Sequence, residues 1–534
     1  MLFLQRWAAF SLLAALWLGF YAPFLVNVPR SDDLVSLLPF LCDWRDAGDL
    51  AARVDLLFSQ YFSHRIVATR LAGLAVHAAF GHLHLVALQA IGLILWLGLA
   101  AWCSRAAMDR HGSAAAGLPV ALLLLLPLGY TNIVTAMQAV GNHAILVLAL
   151  AACVLVRRDA TPARLALAFG AAAAAMLSAA NGLVLPVLLT TAVLLQGRWR
   201  AGVSLAVAST VLVLVWFRNF DRDAAPFAVD AFAANALVMV GAPFNLGRLP
   251  LPATAVLGAV VLLATLAALW RRRLSAAEDP AALFTAFLLG SVALAAAGRV
   301  GWGAEYMQQD RYSPYGLLLV VCVWLLAPPL PAPLRRAAFV GAALAAAVVA
   351  ATAYVRIYPA LLEHRRWALA VAVNHPLGVP MAVSEREIGL GEQARAIGAG
   401  LLRLPAPGTR GTPSLAALRE AASAPAPAGD ELRLRPGFDS GRGVLVLRPV
   451  RPGQSLAAEF ALATDGVRLV LLPAIAERET YARAARLARV VNPDRDGFLW
   501  PFSVAPQAPL RFLGLAVGPG GQCRVLWTGR MDLP

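Results

Sequence analysis

The sequence predicts a polytopic α-helical membrane protein of about eleven transmembrane helices, followed by a C-terminal extracytoplasmic β-rich domain. Three observations carry that prediction. Of 534 residues, 60% are hydrophobic and only 14% charged, with a mean hydropathy of +0.69; soluble domains are nearer one quarter charged, which excludes a soluble globular enzyme. Apolar runs long enough to cross a bilayer recur through the first 355 residues. After residue 356 the composition changes, and short strand-like runs take over.

Crossing the hydrocarbon core takes about 20 mostly apolar residues with every backbone polar group bonded inside the helix. The first such run is 7–26, behind Arg6, and with no small-x-small cleavage site before Asn27 it reads as an uncleaved first helix. Ten more follow near 83–103, 114–129, 138–156, 163–180, 182–196, 201–217, 252–270, 282–298, 314–330 and 337–355. Residues 66–80 are apolar but short and carry Arg70, so they predict a helix at the interface or half inserted.

All 45 basic residues are Arg, set against 30 acids for a formal charge of +15. They sit in short clusters between apolar runs, the membrane-protein pattern rather than a nucleic-acid footprint, and no nucleic-acid partner is expected. With the N-terminus cytoplasmic, every even-numbered turn is basic: Arg105 and Arg110, Arg157 and Arg158, Arg198 and Arg200, Arg271 to Arg273, Arg335 and Arg336. The opposite turns differ, since 27–65 holds four Arg against six Asp and 218–250 holds three of each sign. Basic residues stay on the cytoplasmic side, so everything after 356 is expected outside.

The chain therefore divides into a transmembrane domain, 1–355, with a first external loop at 27–82; a helical segment and Pro/Ala-rich linker, 356–430, broken at His375-Pro376; and a β-sandwich-like domain, 431–534. Cys42, Cys103, Cys153, Cys322 and Cys523 show no CxxC or metal-ligand spacing, and neither a metal nor another cofactor is indicated. No P-loop, GxGxxG after a strand, HExxH or internal repeat is present.

Three segments could carry chemistry. The first external loop opens on Asp32 and Asp33, and a carboxylate there could act as general base on an acceptor hydroxyl. Ser31-Asp32-Asp33 is also ordinary N-cap chemistry for a helix starting at Leu34, and the two roles are compatible on adjacent residues. The second segment is Tyr61-Phe62-Ser63-His64-Arg65, with Arg70 five residues on. Guanidinium forks suit phosphate oxygens, and His64 could orient a substrate or exchange a proton with it; the competing reading has both Arg snorkelling toward head groups. The third is the loop 298–316, where Arg299, Glu305, Asp310 and Arg311 stand among Trp302, Tyr306, Tyr312 and Tyr315. Aromatic faces and carboxylates suit sugar rings, while an interfacial aromatic belt with local ion pairs explains the same residues.

An N-terminal-in helix, a large first external loop opening on an acidic pair, a short helix within it, about a dozen spans and a trailing extracytoplasmic domain together resemble the GT-C class of membrane glycosyltransferases. His64-Arg65, Asn181-Gly182 and Asp310-Arg311-Tyr312-Ser313 are similar to segments of uncharacterised bacterial members. The resemblance implies an inverting transfer of sugar from a polyprenyl-phosphate donor to a cell-envelope acceptor, a glycan, lipid or protein, on the outer face of a bacterial cytoplasmic membrane. It implies Asp33 or Asp32 as base, and His64, Arg65, Arg70, Arg299, Glu305, Arg311 and Tyr312 as substrate-binding residues, with Arg65 and Arg311 neutralising the departing lipid phosphate. The alternatives are a transporter or flippase for lipid-linked glycans, a polymerase- or ligase-like protein, and a non-catalytic envelope scaffold. Few ionisable residues fall at span centres, which disfavours an ion-coupled pump.

Overall fold

The computed structural model describes residues 2–221, 226–245, 249–272, 277–328, 331–379, 390–409 and 412–424, and beyond those chiefly the strands named below. The helices are α1 (Leu2–Tyr21), α2 (Leu38–Asp46), α3 (Leu50–Phe58), α4 (Val67–Phe80), α5 (Leu85–His111), α6 (Gly117–Leu124), α7 (Thr131–Val134), α8 (Ala136–Leu155), α9 (Pro162–Met176), α10 (Val184–Leu195), α11 (Trp199–Phe217), α12 (Val229–Asn245), α13 (Leu251–Arg272), α14 (Pro280–Ala297), α15 (Ser313–Leu326), α16 (Ala332–Asn374), α17 (Leu390–Gly398) and α18 (Leu415–Ser423). The strands are β1 (Leu432–Asp439), β2 (Val444–Pro449), β3 (Phe460–Thr464), β4 (Leu469–Ile475), β5 (Gly497–Trp500), β6 (Arg511–Val517) and β7 (Cys523–Met531).

Among the described residues seven helices are long and apolar enough to cross a membrane: α1, α5, α8, α11, α13, α14 and α16. The runs at 114–129, 163–180, 182–196 and 314–330 form the shorter helices α6, α9, α10 and α15. Two readings need correction. The stretch 218–250, read as a polar loop, contains α12, whose Asn235, Pro243 and Asn245 interrupt the hydropathy that marks a span. α12 packs on α13 through glycines: a Cβ at Gly241 would lie 2.0 Å from the Thr254 oxygen, and one at Gly258 1.8 Å from the Leu237 oxygen. The last helix does not stop at 355; α16 continues through Pro359 to Asn374 and ends where His375-Pro376 and left-handed Gly378 (φ +75°) break it.

The chain falls into two compact units. The first is Met1–Tyr21, Asp43–Ala75 and Ala87–Tyr354; the second is Ala22–Cys42, Val76–Val86 and Val355–Pro534.

In the first unit, hydrogen bonds between loops form two chains. One joins the basic turns: His111 to the Trp324 carbonyl (3.2 Å), the Trp324 indole to that of Ala116 (3.1 Å), Arg272 to that of Leu326 (3.3 Å), Gln196 to that of Ala277 (2.7 Å) and Arg198 to that of Ala160 (2.7 Å). Arg158 and Glu278 add an ion pair at 3.5 Å. The other chain joins the alternate turns, through the residues of the candidate site below. Turns that charge assigns to one face are therefore tied to each other, end by end.

In the second unit the strands close into one ring, β1-β2-β5-β4-β3-β6-β7, antiparallel except for the parallel β1–β7 closure. The expectation of a β-rich C-terminal region holds, but the strands make a closed barrel where two stacked sheets were expected. Every residue of β3 is buried. Its uniformly apolar FALA run is covered on both sides, because Ala368–Val373 of α16 and Leu418 and Ala421 of α18 join Phe460, Leu462, Leu471, Phe512 and Leu513 in one core. Asn374 completes the packing: its amide donates to the Leu471 carbonyl and accepts from the Leu471 N–H, both at 2.8 Å.

Candidate functional site

The acidic pair lies in the second unit. Ser31 is left-handed at φ +44°, Asp32 is helical, and Asp33 begins a single π-helical turn, Asp33–Leu37, that leads into α2. The Asp32 carboxylate makes no capping bond to the turn, so the N-cap expectation does not hold for it. Asp33 is fully buried, and its Oδ2 accepts from the Arg30 N–H at 3.1 Å while its own N–H donates to the Arg30 carbonyl at 2.9 Å. Ser36 Oγ donates to the Asp32 carbonyl at 2.5 Å. Asp32 is half-buried. The two carboxylates thus stand in different settings: one locks the turn from inside, the other lies toward the surface.

The second segment lies in the first unit and forms a tight turn. Tyr61 and His64 pair through both backbone bonds (2.8 and 2.9 Å), with Phe62 left-handed at φ +47°. His64 Nδ1 accepts from the Ala180 N–H at 3.1 Å, which places the proton of the neutral ring on Nε2. Arg65 and Arg70 are buried, and Arg65 Nε, Nη1 and Nη2 and Arg70 Nη1 donate to helix-end carbonyls. Arg65 bonds the carbonyls of Phe58, Trp216 (2.8 Å) and Arg218; Arg70 Nη1 bonds those of Leu56 (2.9 Å), Leu57 (3.0 Å) and Ser59 (2.7 Å). These are the last carbonyls of α3 and α11, which carry the negative end of the helix dipole; that of Leu56 also accepts from the Ser59 N–H (3.3 Å) and hydroxyl (2.8 Å). Burial lowers Arg65 below its usual pKa, and burial with the charge of Arg65 lowers Arg70 to about 10.

The third segment wraps around its own aromatics. Arg299 stacks 4.9 Å from the ring of the exposed Trp302, which meets Tyr306 edge-on at 4.4 Å. Arg311 lies 5.1 Å from the Tyr306 ring and 5.3 Å from that of Tyr312, and donates to the Tyr306 hydroxyl. Glu305 follows the left-handed Gly303 (φ +82°). Asp310, which the sequence grouped with the charged residues of this loop, accepts from the N–H groups of Gly129 (2.8 Å) and Thr131 (3.0 Å) and so anchors the loop to the start of α7.

Within the first unit these pieces are linked. His64 is bonded to Ala180; the neighbouring Asn181 donates to the Tyr315 hydroxyl at 2.5 Å; and Asn142 donates to Asn132, which donates to the Arg311 carbonyl at 2.9 Å. His64 and Tyr315 are thereby tied to the Ala180-Asn181 turn, and Arg311 to the start of α7 through Asn132. The sequence offered Asn181 only within the resemblance and gave no sign of Asn132, which sits in an otherwise apolar stretch with no spacing signal. Asn235, also missed, donates to the carbonyls of Ala296 (3.2 Å) and Arg299 (3.0 Å) and holds the base of the aromatic loop. Among the described residues no three His, Cys, Asp or Glu side chains converge to hold a metal.

No family model, curated protein or solved structure matches the chain.

Proposed function

We propose that the chain is a multi-pass glycosyltransferase of the cytoplasmic membrane that moves a sugar from a polyprenyl-phosphate donor to a cell-envelope acceptor on the outer face. The observation that carries this reading is the acidic turn: a left-handed Ser31, two adjacent carboxylates in unlike settings, and a π-turn. Strained backbone and π-turns concentrate at functional sites, since the surrounding fold has to hold them in place. Asp32, half-buried, is the base that accepts the acceptor hydroxyl's proton as the sugar–phosphate bond breaks; the buried Asp33 is a positioning residue that fixes the turn. In the first unit, Arg311, held by two tyrosine rings, and Arg299 offer positive charge suited to a phosphate, and Glu305, Tyr312 and Trp302 offer groups suited to a sugar. Arg65 and Arg70, engaged by carbonyls, position α3, α11 and the His64 turn. The two chains of loop contacts support the division of the turns between two faces, and the Arg-rich turns of one face argue for a cytoplasmic N-terminus and an extracytoplasmic C-terminal barrel.

The test is transfer of labelled sugar from polyprenyl-phosphate donor in membranes, at matched expression. Asp32→Asn conserves size and removes proton acceptance, so the rate is expected to fall on the order of 10²–10⁴-fold with the fold intact. Asp33→Asn is expected to lower activity together with thermal stability. Parental transfer by both variants would reject the acidic-turn site and leave a transporter or scaffold as the better reading.

A further inference from the structure

α3 exposes Leu50, Val54 and Phe58, spaced four residues apart along one stripe, and Leu50 is 75% exposed. The stripe is followed by Phe62, 68% exposed and held left-handed in the Tyr61–His64 turn. A bulky side chain rarely takes that conformation, and here it gains no burial inside its own unit in return. The tip is nevertheless fixed: Gln60 Nε2 donates to the carbonyls of Phe62 (2.5 Å) and Asp221 (2.8 Å), and Gln60 Oε1 accepts from the Asp221 N–H at 2.9 Å.

The arrangement around α3 says what covers this stripe. α11, a membrane-length helix, exposes Val203, Val207, Val211 and Leu214, a surface suited to acyl chains. Arg65 bonds the end of α3 at Phe58 to the end of α11 at Trp216 and Arg218, so the apolar stripe of α3 adjoins the outer end of the apolar face of α11. The terminal carbonyls of α3, at Leu56, Leu57, Phe58 and Ser59, are served by the two buried guanidiniums. Water serves such carbonyls on a soluble surface; internal donors are required where water is scarce. At the other end Asp49 caps the helix through the Ala52 N–H at 2.8 Å, and Asp55 is exposed, which suits the head-group layer.

We infer that α3 and the Phe62 turn form a membrane-seated wedge, with Leu50, Val54, Phe58 and Phe62 among the acyl chains of the leaflet at the outer end of α11. The occupant of the stripe is lipid, and the placement does not depend on the transfer chemistry proposed above. Its effect is to fix the His64 turn at the depth where a lipid head group lies.

The experiment uses the full chain with Cys523→Ser, the other four cysteines being buried, reconstituted in phosphatidylcholine vesicles. Single cysteines introduced as Leu50→Cys, Val54→Cys and Phe62→Cys carry an environment-sensitive fluorophore. Ala52→Cys, half a turn from both Leu50 and Val54 and also exposed, is the reference position. Labels at 50, 54 and 62 are expected to lose fluorescence when the acyl chains are brominated and to resist aqueous iodide, while the label at 52 shows the reverse order. Equal iodide quenching at all four positions, with no loss in brominated lipid, would overturn the inference. Labels at 50, 54 and 62 shielded from both quenchers would also overturn it, in favour of a protein partner on the stripe.

Discussion

Asn374 offers the sharpest test of the packing. Leu471 lies on β4 opposite Leu462 of β3, and among the described residues β5 pairs with β4 at Ala474 and Ile475 alone, which leaves the outer edge of β4 at Leu471 to Asn374. The Asn374 amide fills that edge as a strand residue would, with two fully buried bonds at 2.8 Å. Asn374→Leu keeps the volume and removes both partners. Each lost bond is worth about 1 kcal/mol net, and each buried backbone group left unsatisfied costs about 1–3 kcal/mol, so these overlapping estimates bracket a loss of about 2–6 kcal/mol. At roughly 1.4 kcal/mol per factor of ten, exchange of the Leu471 amide governed by opening of this edge should accelerate roughly 30- to 20,000-fold. Hydrogen-exchange mass spectrometry of a peptide covering 469–475, with one from α8 as internal reference, measures it. Asn374→Asp should be no milder, because a carboxylate satisfies the Leu471 N–H but repels its carbonyl. Unchanged exchange at 469–475 in Asn374→Leu would refute the claim that this side chain completes the barrel edge.

Two further outcomes follow from the same reasoning. Gly241→Val places a side chain where even a Cβ would lie 2.0 Å from the Thr254 oxygen, so α12 and α13 must part; a loss of about 1–3 kcal/mol or more is expected, read as a lower melting temperature in detergent, while Gly170→Ala, with nothing within 4 Å, should be neutral. Burial, and then the negative charge of Glu420, pushes the Cys523 thiol up to about 11. Because the thiolate is the reactive form, alkylation of Cys523 should rise about tenfold per pH unit from pH 7 to 10, and a plateau below pH 9 would contradict it.

Much of the architecture was legible because hydropathy and charge are local signals. Each apolar run became a helix, and the basic turns that parity places on one face are bonded to each other through Arg198, Gln196 and Arg272. α12 was missed because Asn235 and Pro243 dilute its hydropathy, while the glycines that seat it on α13 signal nothing until the two helices meet. Barrel closure depends on the pairing of β1 with β7, about a hundred residues apart, which no local pattern encodes. In the candidate site the residue types were visible but their partners were not. A guanidinium suits a phosphate and a helix-end carbonyl equally well, and only the positions of the α3 and α11 ends decide that Arg65 and Arg70 serve the latter. The Leu50, Val54, Phe58 spacing was present in the sequence, masked by the six Asp that made 27–65 read as a polar loop.

The two chains of loop bonds also determine how the first unit can move. α10 is pinned by Asn181 at one end and Gln196 at the other, α14 by Ala277 and Ala296, and α15 by Tyr315 and Leu326. A helix held at both ends cannot tilt without breaking a bond at each, and in a medium without water a broken bond finds no substitute. Rocking of a single helix is therefore penalised twice, and neighbours sharing a bonded turn are drawn into the same displacement. α12 differs: Asn235 and Asn245 both tie it to the turns around the aromatic loop, Asn245 reaching Gln308 at 3.4 Å. Displacement of α12 is therefore coupled to that loop and, through the bond from Asn235 to Ala296, to the end of α14.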